Sequence, residues 1–392
     1  MPESQQPSVL PFVAAQPLVD HHCHGLLRAG GDLPELLNEA GGDAATEALA
    51  FDSLAGLAFR RWCPPLLGLP PHATVGAYTE RRAALGADQV NRAFLGACGL
   101  QALCVDTGFA PAGLLSPAET AACGGAAAFE IVRLEQVADA LGRSGVSAAG
   151  FPDAYRRALA ERITRPASAA SGAANTRAVG FKSIAAYRVG LDLDGRRPAD
   201  AEVVAAVSRW LAGGDGGEPP RLADEVLHRF FVWCGADLGL PIQFHVGYGD
   251  RDIDLHRCNP LLLTGLLRAL EPTGAPVMLL HNYPYHREAG YLAQVFPLVY
   301  ADLGLATHNV GARATALLAE ALELVPLRKF LFSSDAFGLP ELYYLGTQLF
   351  RQALSAFLTA RLAADDISYA DAERITGLIG TENARRAYKL PA

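Results

Sequence analysis

Apolar residues along the chain gather in short runs of five to seven positions, separated by longer stretches whose apolar residues recur at helical spacing. The runs are Leu18–His22, Leu100–Asp106, Phe129–Leu134, Ala178–Ser183, Pro241–His245, Pro276–His281, Leu298–Leu303 and Phe330–Asp335. Helical patterns fall near Gln136–Leu141, Asp153–Ile163, Ala201–Leu211, Leu222–Leu238, Pro340–Arg361 and Tyr369–Tyr388. Eight buried-type strands alternating with helices predict an α/β fold, a distorted (β/α)8 TIM barrel. An open doubly wound sheet would want a glycine-rich phosphate loop after an early strand, and Gly25 does not begin one. Residues 26–100 interrupt the alternation. They carry Leu/Ala-rich helical patterns broken at Pro64-Pro65 and Pro70-Pro71. The longest is Ala77–Ala97, with Glu80, Arg81, Arg82 and Arg92 on its polar side. The segment reads as a helical insertion after the first strand, covering the C-terminal face of one domain that spans residues 1–392. Residues 1–16 read as a loose lead-in.

Composition supports a large core: 51% of the 392 residues are hydrophobic and 19% charged. The net charge of -8 argues against nucleic acid, which needs a basic footprint. No apolar run reaches membrane-span length, and the first residues do not pair a basic with an apolar segment, so neither a membrane nor a secretory signal is expected. Seven scattered cysteines, with no CxxC, suit reduced thiols in a cytoplasm.

Chemistry enters through the ends of the runs. In a barrel of this kind, functional groups sit at the C-terminal ends of the strands. The first run leads into Asp20-His21-His22-Cys23-His24-Gly25, and side chains at i and i+2 of a strand share a face. Lys182 lies near the end of the fourth run, His245 ends the fifth, His281 the sixth and Asp335 the eighth. A lone histidine at such a place is more often a hydrogen-bonded core residue than a ligand. Four imidazoles, a carboxylate and a lysine at one mouth are costly to bury without a shared partner, and a divalent ion is such a partner.

This ordered set resembles the metal-dependent amidohydrolase superfamily. More narrowly, LVDHHCHG, FKSIAAYR, HNYPYHREAGYLAQVFPLVYADLGL and FSSDAFGLPELYYLG are similar to the amidohydrolase 2 branch, which includes amidohydrolase-like domains fused to glutamine-synthetase-like domains in fungi and plants. The resemblance implies that His22, His24 and Asp335 bind a divalent metal, with His245 as a further ligand and His281 either binding a second ion or holding the substrate oxygen. It implies zinc first, with manganese or iron as alternatives, and one or two ions. In two-metal members a carboxylated lysine bridges the ions, and Lys182 occupies that place. It implies hydrolysis of an amide or other C–N bond of a small, carboxylate-bearing substrate by activated water, with Asp335 taking the proton and His281 polarising the carbonyl. A homo-oligomer, a dimer or larger, is the family-level expectation.

Several residues carry weaker expectations. Arg188 just past the fourth run suits a substrate carboxylate or a surface ion pair. Tyr248 and Asp252, in the polar loop after the fifth run, and Tyr283 after the sixth suit substrate contact. Arg133 and Glu135 read as a supporting pair or as substrate contacts. Cys23, between two candidate ligands, points away from them. The alternative reaction is metal-dependent decarboxylation, a lyase activity that needs one ion and no carbamate. A sugar-acid isomerase or a non-catalytic barrel are further readings.

Overall fold

In the computed structural model, residues 9–40, 46–109, 113–164, 176–213 and 219–391 are described. Seven parallel strands stand in sequence order: β1 (Leu18–Cys23), β2 (Leu100–Asp106), β3 (Ala127–Arg133), β4 (Ala178–Ser183), β5 (Ile242–Val246), β6 (Val277–His281) and β7 (Val299–Ala301). Every residue of β1, β4, β5, β6 and β7 is buried, as expected of a parallel sheet covered by helices.

The eighth run differs from expectation. Residues 330–336 form no regular strand, yet they close the barrel. Leu331 N donates to Ala301 O of β7 at 3.0 Å, while Asp335 N donates to His22 O of β1 at 3.0 Å and His24 N to Ala336 O at 2.9 Å. Two features break the ladder. The Asp20 carboxylate takes the Ser334 backbone N–H at 3.0 Å and its hydroxyl at 2.5 Å. Asp335 itself lies in the left-handed region, φ 52°, which an extended strand cannot include.

The barrel interior is filled by Val19, Cys104, Ile131, Val179, Met278, Leu280 and Leu331, and from the C-terminal helix Asn383–Tyr388 by Ala384, Ala387 and Tyr388. Gly180 makes room for that helix: a Cβ there would stand 3.1 Å from the Tyr388 ring. A second, larger apolar cluster lies between the sheet and its surrounding helices.

Between β1 and β2 the chain forms helices at Leu33–Leu36, Glu47–Phe51, Leu54–Leu66, Val75–Leu85 and Ala87–Cys98. Two expectations are corrected here. The span 77–97 is not one helix, because Gly86 at φ 77° turns the chain. Pro64 and Pro65 sit inside the last turn of Leu54–Leu66, so the break falls after Leu66 rather than at the prolines themselves. Buried Glu341, on the long helix Pro340–Ala363, fastens this segment by accepting from Tyr78 Oη at 2.8 Å and Arg82 Nε at 2.7 Å. The lead-in is also more ordered than expected, although residues 1–8 lie outside the described residues. Pro11–Ala15 is a helical turn, and Arg351 donates to Val13 O and Gln16 O, each at 2.7 Å, and to Cys98 O at 3.2 Å. One guanidinium thereby meets the carbonyl ends of two helices, where positive charge is favoured.

Candidate metal centre

The site begins with an irregularity in β1. Asp20 pairs with Leu103 and Cys23 with Val105, three steps on β1 against two on β2. This one-residue bulge re-aims the side chains. Strict alternation would send His21 and His22 to opposite faces, yet both reach the interior. His21 Nδ1 lies 2.9 Å from Tyr388 Oη, and His22 Nδ1 lies 2.8 Å from Gln243 Oε1. Cys23 packs outward with its thiol toward Cys104 O. His24 follows the strand end, and its carbonyl accepts from Tyr343 Oη.

The functional atoms converge on Asp335. Its Oδ1 lies 2.9 Å from His22 Nε2 and 3.3 Å from His24 Nε2, and its Oδ2 lies 3.6 Å from His281 Nδ1. The backbone is strained at two of these residues, with His281 at φ 70° and Asp335 at φ 52°. Asp302 holds the first in place by accepting from His281 N at 2.7 Å. Lys182 Nζ lies 3.4 Å from His22 Nε2. Among the described residues two donor sets could hold an ion, each with ligand atoms within 4.8 Å of one another: His22, His281 and Asp335, and His22, His24 and Asp106.

The electrostatics suit ligands. Burial, with the Lys182 ammonium nearby, lowers the His22 imidazole to about 4 and that of His245 to about 3. Burial likewise pushes His281 well below its ordinary value. Burial opposes the charge on Asp335, but the imidazoles of His281, His22 and His24 hold its carboxyl well below the carboxylate range. The neutral imidazoles of His22 and His281 thus face an ionised carboxylate. Despite the short separations, Asp335 Oδ1, His281 Nδ1 and His24 Nδ1 are buried without a hydrogen-bond partner. Buried polar atoms of this kind need a partner, and a divalent cation fits this set of nitrogen and oxygen donors.

Expected residues fall into three groups. His22, His24, His281, Asp335 and Lys182 come together. His245 lines the same cavity, its ring tilted by 52° against that of His281 at 4.5 Å between centroids, but its Nε2 faces Tyr248 O at 3.0 Å and it joins neither donor set. Arg188 and Asp252 line this cavity of about 470 Å³ together with residues 35–39 of the inserted segment. Tyr248 and Tyr283 instead line an adjoining cavity of about 580 Å³ that shares Leu37, Asn38 and Asn309 with the first. Among the described residues Arg188 makes no ion pair and its Nε is unpartnered, whereas Asp252 is engaged by Arg221 at 2.9 Å. Arg133 and Glu135 do not pair with each other. Arg133 clasps Asp106 at 2.5 Å, and Glu135 accepts from Ser183 Oγ at 2.9 Å and faces His228 Nδ1 at 3.2 Å.

Three residues escaped the sequence reading. Asp106 ends β2 as Asp335 ends the eighth run, so its position was the available signal. Gln243 carries no signal beyond a polar residue inside an apolar run. Glu39, a carboxyl on the inserted segment, lines the metal cavity, where burial and the like charges of Asp335 and Asp250 raise it to about 7.

Known proteins resemble this chain in sequence and fold. A structure from Lactobacillus casei ATCC 334, described as a candidate metal-dependent hydrolase, superposes with a TM-score of 0.83 at 31% identity over 96% of each chain. A uronate isomerase from Thermotoga maritima shares the fold at 12% identity, with a TM-score of 0.62 over 96% of this chain and 95% of that one. Protein fluG of Emericella nidulans is 35% identical over 223 residues, which is 54% of this chain, and the chain spans only 26% of that protein's length. No described helix is long and apolar enough to cross a membrane. The amidohydrolase family profile matches residues 124–390, from the helix before β3 to the end of the C-terminal helix, and the chain belongs to the amidohydrolase family.

Proposed function

We propose that the protein is a metal-dependent hydrolase that cleaves an amide or other C–N bond of a small, carboxylate-bearing substrate. The observation that carries this reading is Asp335 Oδ1, buried and unbonded 2.9 Å from His22 Nε2 and 3.3 Å from His24 Nε2. His22, His24 and Asp335 would hold the ion, with His281 or Asp106 completing the set. A divalent ion in such a site supplies Lewis acidity and water acidic enough to ionise near neutral pH. Zinc suits the imidazole and carboxylate donors, and manganese or iron are compatible with them.

The chain's own groups do the rest. Asp335 accepts the proton of the attacking water and returns it to the leaving nitrogen. Arg188, its Nε unpartnered at the cavity wall, binds the substrate carboxylate. Residues 35–39 form part of the wall that limits water around the reacting bond. Burial lowers the Lys182 ammonium to about 8, so part of it is the neutral amine near pH 7.5. That amine adds to CO2 and releases a proton, giving a carbamate whose oxygens can ligate two ions.

A decarboxylase is the second reading. It is favoured by His245, whose Nε2 turns to the Tyr248 carbonyl instead of completing a second donor set. The test is elemental analysis of the purified protein, then product analysis on N-acyl amino acids. Bound ion and released amine support the hydrolase. Released CO2 without amine selects the lyase, and a metal-replete preparation holding no ion ends both readings.

A further inference from the structure

Below the metal cavity lies a closed chain of buried hydrogen bonds that the proposed chemistry does not use. Gln243 is fully buried on β5, between β1 and the C-terminal helix. Its Nε2 lies 2.8 Å from His21 O and 2.8 Å from Tyr388 Oη, and its Oε1 lies 2.8 Å from His22 Nδ1. His21 Nδ1 lies 2.9 Å from Tyr388 Oη, and His21 Nε2 lies 2.7 Å from Asp302 Oδ2. Asp302 Oδ1 in turn accepts from His281 N and Gly304 N.

The direction of these bonds is not free. A backbone carbonyl only accepts, so the group facing His21 O must be the Gln243 amide nitrogen. The amide oxygen then faces His22, and His22 Nδ1 must carry the hydrogen. The other end agrees. Asp302 Oδ2 accepts from His21 Nε2–H, which leaves His21 Nδ1 to accept from the Tyr388 hydroxyl. The Tyr388 oxygen then accepts from Gln243. Reversing Gln243 would set oxygen against oxygen at His21 O, 2.8 Å apart with no hydrogen between them. A neutral imidazole with its hydrogen on Nδ1 has a bare Nε2, and Nε2 is the atom that faces Asp335.

We propose that Gln243 is a positioning residue that commits His22 to one tautomer, Nδ1–H, and so presents the Nε2 lone pair to the cation site before any ion arrives. Tyr388 supports Gln243 from the C-terminal helix without being required for the choice, because the His21 carbonyl alone fixes the amide. The proposal rests on the reading of His22 as a ligand. Partners of this kind, one bond removed from a metal, typically change affinity ~10–100-fold when they are lost.

The full-length protein, labelled with 15N-histidine and stripped of ions, gives a direct readout. Long-range 1H–15N correlation, with the His22→Ala spectrum used for assignment, should show the Nδ1–H tautomer for His22. Zn2+ alone, titrated against a chelator, should bind Gln243→Met ~10–100-fold more weakly than the unaltered chain. It should bind Tyr388→Phe within a few-fold. A general packing role would instead weaken both variants alike. The proposal is overturned by an Nε2–H signal at His22, by unaltered Zn2+ affinity in Gln243→Met, or by equal losses in both variants. The spectrum of the unaltered chain decides the matter if Gln243→Met does not fold. Failure of the unaltered protein to bind any divalent ion would sink the hydrolase reading and the cation site with it, whereas an Nε2–H tautomer in a protein that does bind Zn2+ would sink this proposal alone.

Discussion

At the scale of single residues, the site combines groups that belong together only if a cation joins them. Asp335→Asn keeps the size of the side chain and removes its charge and its basicity. Turnover should fall ~10²–10⁴-fold, the range for loss of a proton-transfer group, with the ion-free thermal midpoint little changed. Near-normal turnover would remove Asp335 from the chemistry. Lys182→Ala should reduce the bound ion to one or fewer per chain by elemental analysis if a carbamate joins two, and unchanged stoichiometry would reject the bridge. Glu39 gives a pH test. Its folded value of about 7 lies above the ordinary carboxyl value, so the folded state holds its proton more tightly than the unfolded one. The stability it contributes is present below about pH 4.5 and is lost as pH rises toward 7. Urea midpoints of the ion-free protein at pH 5 and 8 should therefore diverge more in the unaltered chain than in Glu39→Gln. Much of this residue-level picture was legible from strand ends alone: His22, His24, Lys182, His281 and Asp335 do gather at one mouth. Gln243 was not, because a glutamine inside PIQFH looks the same whether it packs or directs an imidazole.

At the scale of elements, strands with dense apolar runs were readable nearly to the residue, and β2 and β4 coincide with their expected spans. Elements set by unusual backbone were not. The break at Gly86 depends on a left-handed turn. The bulge that brings His21 and His22 inward depends on pairing with a strand some eighty positions away, which periodicity along β1 alone does not reveal. The inserted helices depend on a distant contact as well, through Glu341 with Tyr78 and Arg82. Glu341→Leu leaves a largely buried guanidinium without its acid, and breaking such a pair costs about 3 kcal/mol. The expected result is that loss in urea denaturation together with faster proteolysis between residues 75 and 98. Wild-type resistance to both would show that the insertion is held mainly by its apolar face.

At the scale of the whole molecule, the barrel is complete but its last joint is unlike the others. Seven strands are laddered side by side, while residues 330–336 meet β7 and β1 through scattered bonds and a buried carboxylate. The proposed ion would span this joint, from His22 and His24 on one side to Asp335 on the other. Binding to the folded chain alone stabilises by mass action, about 2.7 kcal/mol at a hundredfold excess over Kd. Chelation should accordingly lower the thermal midpoint and re-addition of Zn2+ should restore it. An unchanged midpoint would mean that no ion binds the folded state tightly.

The same joint gives the empty and loaded proteins different weak points. Where a cation stands in for missing ladder bonds it acts as a latch, and the amides of Leu331, Ser334 and Asp335 become a gauge of whether the latch is shut. Their deuterium uptake should slow on loading far more than that of the β3–β4 amides on the opposite wall, which are already zipped without help.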